Sequence, residues 1–204
     1  MWEKNQLTLK KEANFSGIGL HSGIKVKVTL EPANSNSGIL FRRNDLEKDN
    51  EIVANFKNVS SAKLCTKIEN SSGASVSTIE HLMAAFYICG IDNIIVNLNG
   101  PEVPIMDGSA KDFVKIIKDC GLKVLEGKRK FVRIKNKIEL KTEDGKLINI
   151  KPSNQTLDVK FTLNYEKNPL IKTQTNKIDF VNKNLNEIID ARTFCLYEDI
   201  EIIK

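Results

Sequence analysis

The chain has 204 residues, 41% of them hydrophobic, with 31 Lys and Arg against 26 Asp and Glu and a formal net charge of +5. This is the composition of a folded protein with one large domain or two small ones, which excludes a disordered chain. The positive excess is spread along the sequence rather than gathered, so no nucleic-acid partner is expected, and an anionic small-molecule substrate suits the charge.

Residues 6–10 alternate as a short strand. Gly17-Ile18-Gly19-Leu20-His21-Ser22-Gly23 then places three glycines in seven residues. It reads as a turn or a close backbone approach, since no GxGxxG completes a nucleotide loop. His21 reads as a structural loop residue. Val26, Val28 and Leu30 alternate with Lys25, Lys27 and Thr29 as a half-buried strand, and 38–42 is strand again. Residues 44–62 are a polar excursion outside the core, 64–68 a strand carrying Cys65, and 70–73 a turn.

Ser77-Thr78-Ile79-Glu80-His81-Leu82-Met83-Ala84-Ala85-Phe86 reads as a helix start. Ile79, Leu82, Met83 and Phe86 fall at i, i+3, i+4 and i+7 on one face, and Gly90 supplies a stop. Glu80 and His81 lie off that stripe in the first turn, roughly 100° apart. The positive end of the helix dipole suits a carboxylate. A neutral imidazole is what a metal takes as a ligand, and a carboxylate is what a water needs as a base. A second reading of the same residues is open. Ser77 with Glu80 three residues on is a capping box, which needs no active site. One histidine is not a metal site, and the spacing is not HExxH.

Residues 91–98 are an apolar strand. Pro101 and Pro104 then hold the chain extended, Asp107-Gly108 turns it, and Ser109 caps a second helix. Phe113, Ile116, Ile117 and Cys120 line that helix's inner face, and Gly121 ends it. Residues 1–121 thus make a strand-rich unit with two helices, and 122–130 read as a linker. Beyond it, 131–140 and 146–151 are strands joined by Glu143-Asp144-Gly145, 156–165 is a strand, and 166–176 a polar loop. A helical pattern over 184–190 precedes Ala191-Arg192-Thr193-Phe194. The second unit repeats the opening of the first without its later half. The expectation is an α+β chain, truncated, with one domain over 1–126 and an incomplete second over 127–204.

Cys65, Cys89, Cys120 and Cys195 form no CxxC pair and read as reduced, mostly buried thiols of a cytoplasmic protein. The start has no apolar signal region, and no apolar run approaches the ~18 residues of a membrane span. A monomer without membrane insertion is expected.

Five stretches together resemble one family, in order and at similar spacing. They are Gly17 to Gly23, Ser77-Thr78-Ile79-Glu80-His81-Leu82, Gly90-Ile91-Asp92-Asn93, Pro104-Ile105-Met106-Asp107-Gly108-Ser109 and Ala191-Arg192-Thr193-Phe194. The family is the UDP-3-O-acyl-N-acetylglucosamine deacetylase of lipid A biosynthesis, and the resemblance spans essentially the whole chain. It implies a zinc amidase of two similar α+β domains, each a sheet packed on two helices, that removes acetate from a UDP-linked acylated amino sugar in Gram-negative bacteria. It implies that His81 is a Zn2+ ligand, that Glu80 is the general base, and that Thr193 stabilises the oxyanion. It further implies that Phe194, Leu64 and Cys65 lie beside the substrate, and Tyr165 near the nucleotide. The family's other zinc ligands, a His and an Asp one helical turn apart, and its general-acid His lie further along than this sequence runs; His21 and His81 are its only histidines. The chain is therefore expected to be the first two-thirds of the enzyme and inactive by itself. The alternative is a non-catalytic module of the same fold that binds a nucleotide sugar or RNA, with Glu80 as a cap.

Overall fold

The computed structural model describes residues 4–154, 157–180 and 185–197. Contacts divide them into two compact units, one within Trp2–Arg129 and Asn186–Lys204, the other within Lys130–Leu185. The fold mixes α and β, with a few helices and several sheets.

The first unit runs β1 (Asn5–Leu9), β2 (Ala13–Ile18), β3 (Lys25–Pro32), β4 (Ile39–Arg43), β5 (Glu51–Val53), β6 (Val59–Ser61), β7 (Lys67–Glu69), β8 (Ser75–Val76), α1 (Glu80–Cys89), β9 (Ile94–Leu98), α2 (Lys111–Cys120) and β10 (Leu122–Lys128). Its main sheet has the order β2-β3-β9-β4-β5, antiparallel except between β4 and β9. Side chains alternate faces along a strand, so matched register stacks one row of apolar residues across the sheet. Leu30 pairs Val96, Val96 pairs Phe41, and Phe41 pairs Ile52, all four fully buried. Leu82, Ala85 and Phe86 of α1 and Phe113, Val114, Ile117 and Cys120 of α2 are buried too, and the two helices pack together. Phe15 of β2 meets Phe113 edge to face at 5.5 Å. Both helices stop at the expected glycines, Gly90 in the left-handed region at φ 74° and Gly121 at φ 72°.

Asp92, just past α1, ties the unit's ends together. Its carboxylate accepts the Leu7 N–H at 2.8 Å and takes Arg129 through Nε and Nη2 at 2.8 and 2.6 Å. The same guanidinium donates to the Gly90 carbonyl at 2.6 Å. Asn93 beside it accepts from Gly38 N and donates to Gln6.

Several expectations need correction. The stretch read as a linker, 122–130, contains β10, which pairs antiparallel with β1; a partner more than 110 residues upstream leaves no mark in the local pattern. The excursion over 44–62 contains β5, whose Ile52 fills the core row. Residues 64–66 are not strand: Leu64 sits at φ 62°, and β7 starts only at Lys67. The inner face of α2 presents Val114 rather than Ile116.

The second unit holds two antiparallel hairpins, β11 (Ile138–Lys141) with β12 (Leu147–Ile150), and β13 (Asp158–Tyr165) with β14 (Lys172–Asp179). Gly145, at φ 85°, turns the first as expected. The second corrects the polar loop read over 166–176: β14 is polar on its surface but held by its ladder and by the Thr162–Thr175 hydroxyl pair. Ile138 faces Ile150 and Leu140 faces Ile148, and all four are exposed. The short helix α3 (Asn186–Ile189) belongs to the first unit, where Ile189 is buried. Among the described residues no helix is long and apolar enough to cross a membrane.

Candidate active site

Helix α1 begins at Glu80, and no side chain caps it. Ser77 is engaged elsewhere. Its N–H and Oγ both donate to the Pro101 carbonyl, at 2.9 and 3.3 Å, and its own carbonyl accepts from Val103 N at 3.0 Å. The capping box therefore does not form. Instead, Glu80 Oε2 accepts the Thr66 N–H at 3.1 Å, while Ile79 N approaches the Thr66 carbonyl at 3.5 Å. These two contacts bring Leu64 and Cys65 beside the helix start. Glu80 and His81 are both half-buried. Among the described residues, one N–H engages the Glu80 carboxylate, so acceptor capacity remains for a water.

The approach to α1 is strained. Thr78, β-branched, sits in the left-handed region at φ 56°. Its hydroxyl donates to Glu102 Oε1 at 2.7 Å. Glu102 is 1% exposed and also accepts from His21 N at 3.0 Å and Ser22 N at 2.7 Å. Burial alone would raise the Glu102 carboxyl; the His21 and Ser22 amides and the Ser22 and Thr78 hydroxyls outweigh it and hold it below the usual glutamate range. The glycine-rich stretch is a close approach, as expected. A Cβ on Gly19 would lie 2.5 Å from Glu102 Oε2, and one on Gly17 2.9 Å from Pro104 Cβ. Among the described residues, His21 Nε2 is buried with no hydrogen-bond partner.

Thr193 reaches this unit along the segment that follows α3. Ala110 N donates to the Ile189 carbonyl at 3.2 Å, and Thr193 N to the Gly108 carbonyl at 2.8 Å. Gly108 lies at φ 84°, and a Cβ there would meet Thr193 Cγ2 at 3.7 Å. The Ser109 hydroxyl holds the Asp107 carboxyl below the usual range, with the Arg192 and Lys111 charges adding to it. Ser109 Oγ in turn accepts from Lys111 N at 3.1 Å, but the N-cap of α2 is Ala110, without a side-chain cap bond, rather than the expected Ser109. The loop over 100–109 thus touches Thr78 through Glu102 near one end and Thr193 through Gly108 near the other.

Phe194 is half-exposed, and Cys195 is exposed, which corrects the expectation of a buried thiol there; Cys120 is buried, Cys65 and Cys89 half-buried. Tyr165 ends β13 opposite Lys172, within the other unit. Sequence reading passed over Glu102 and Thr78. The signal for Glu102 is a lone carboxylate in the apolar Gly100-Pro101-Glu102-Val103-Pro104 run, where a charge needs several donors to be tolerated. As a zinc site, His81 suits one imidazole ligand, but among the described residues no group of three or more His, Cys, Asp and Glu side chains converges.

The family model described as UDP-3-O-acyl N-acetylglycosamine deacetylase matches residues 6–204. Proteins named UDP-3-O-acyl-N-acetylglucosamine deacetylase are similar over nearly the whole chain. That of Wigglesworthia glossinidia brevipalpis is 44% identical over 98% of this chain and 67% of its own length. That of Haemophilus ducreyi is 40% identical over 98% and 65%. That of Geotalea uraniireducens is 43% identical over 97% and 64%. The chain thus spans about two-thirds of the length of these relatives. With a family match over residues 6–204 and a relative 44% identical over 98% of the chain, the chain belongs to the UDP-3-O-acyl N-acetylglycosamine deacetylase family.

Proposed function

We propose that the chain is part of a zinc-dependent hydrolase that removes acetate from UDP-3-O-acyl-N-acetylglucosamine in lipid A biosynthesis. It would hold the first of two similar α+β domains, each a sheet on two helices, and part of the second. The observation that carries this reading is the state of Glu80: it caps nothing, one N–H fixes it, and an imidazole stands next to it. Zinc, when bound, supplies a Lewis acid for the amide carbonyl and a more acidic water. His81 would contribute one ligand, and the others would come from outside the described residues. Glu80 would take the proton of the attacking water through its free oxygen. The Thr193 hydroxyl would donate to the developing oxyanion. Leu64, Cys65 and Phe194 would flank the substrate and Tyr165 the nucleotide, and the net positive charge suits a diphosphate. The reaction would run in the cytoplasm of a Gram-negative cell, on a monomer.

Acetate release from this substrate by the full-length gene product tests the proposal. Release that stops on chelation and returns with zinc is expected; release unaffected by chelation contradicts it. A second outcome follows from the donor set. Residues 1–204 made alone should lose zinc on dialysis, because one imidazole is a weak site. One zinc per chain surviving dialysis, by elemental analysis, would show that these residues complete the site.

A further inference from the structure

We propose that Glu102 is the positioning residue for the Glu80–His81 pair: its buried carboxylate clamps the glycine-rich turn to Thr78 and so fixes the backbone from which α1 starts. The inference rests on the reading of Glu80 and His81 given above. It begins from the two turn amides and the Thr78 hydroxyl, which, with the Ser22 hydroxyl, converge on one carboxylate. His21 N and Ser22 N come from the turn after β2, and Thr78 Oγ1 from the approach to α1. A carboxylate is the side chain with acceptor sites for all of them and no donor of its own. Its backbone is committed as well. Ser77 and Glu102 form a parallel bridge, with Ser77 N on the Pro101 carbonyl and Val103 N on the Ser77 carbonyl.

The clamp acts on a conformation that does not hold itself. A threonine at φ 56° is disfavoured, and such strain persists where surrounding structure over-determines it. Two residues further on stands Glu80, whose Oε2 receives the Thr66 N–H. Release of Thr78 toward an ordinary backbone conformation would turn the first turn of α1 and draw Glu80 away from Thr66. Gly19 belongs to the same device, since any larger residue would occupy the Glu102 oxygen's place.

The Thr66 amide reports the effect without any need for turnover. Glu102→Gln keeps the volume but leaves one acceptor oxygen in place of two; Thr78→Val keeps the branched shape and deletes the hydroxyl. In the 204-residue chain, each should raise hydrogen exchange at Thr66 about tenfold, the scale of one hydrogen bond. Amides of the β3–β9 ladder should be unchanged, and Thr78→Ser should restore the Thr66 value. In the full-length gene product, both variants should lower kcat by about 10–100-fold with KM little altered, as misplaced catalytic groups do. Should Glu102→Gln fail to fold, Thr78→Val reads the same quantities. Faster exchange at His21 and Ser22 with Thr66 and kcat unmoved would overturn the inference and leave Glu102 as an anchor for its own turn. Glu80→Ala in the same assay separates the two claims. If it leaves turnover intact, the site reading fails, while Thr66 exchange still decides the clamp.

Discussion

Glu80→Ala in the full-length gene product is expected to lower kcat by about 10²–10⁴-fold, the usual share of a general base. Zinc content should stay the same, because His81 rather than Glu80 is the proposed ligand. Glu80→Gln sharpens the result. Its amide oxygen can still accept the Thr66 N–H, so the helix start is kept, but it cannot take a proton from water. Both variants should therefore lose activity alike, with thermal stability kept in Glu80→Gln and lowered slightly in Glu80→Ala, which loses the Thr66 acceptor. Turnover surviving in either would mean that another group is the base. The capping role that once competed for Glu80 has no structural support, since Ser77 is bound to the Pro101 carbonyl and no side chain caps α1.

Asp92→Ala is expected to destabilise the first unit by about 3–5 kcal/mol, as does removal of one partner from a largely buried ion pair. The Arg129 side chain is 9% exposed and that of Asp92 23%. The substitution would strip the guanidinium of its carboxylate and leave the Leu7 N–H without its acceptor. Chemical denaturation read on the first unit should show a lower midpoint and an unchanged slope. A double variant, Asp92→Leu with Arg129→Met, should recover much of the loss, because it removes both charges at once. A single variant as stable as the parent would show that the node contributes nothing.

That node shows how far the sequence could be read. Gly90-Ile91-Asp92-Asn93 was legible as a family stretch, but nothing local marked it as structural; its partners Leu7, Arg129, Gly38 and Gln6 come from across the unit. The two helices were legible because each carries an apolar stripe at helical spacing and a glycine in position to stop it. Strands β5, β10 and β14 were not. A three-residue edge strand has no measurable period, and a polar strand such as β14 differs from a loop only by its ladder. Glu80 and His81 could be picked out by residue type and helix position. The clamp could not, because it depends on Thr78 adopting a left-handed backbone that β-branched residues rarely take. Thr193 could be named from a resemblance alone; its place in the first unit depends on one backbone bond to Gly108, which no side-chain pattern encodes.

We propose a zinc ion at the first turn of α1, next to Glu80. Anomalous scattering at the zinc absorption edge, from crystals of the full-length gene product, tests it most directly. A single peak is expected about 2.0–2.1 Å from an imidazole nitrogen of His81, with the Glu80 carboxylate outside the coordination sphere. A zinc peak bound by other residues, with His81 uncoordinated, would contradict it.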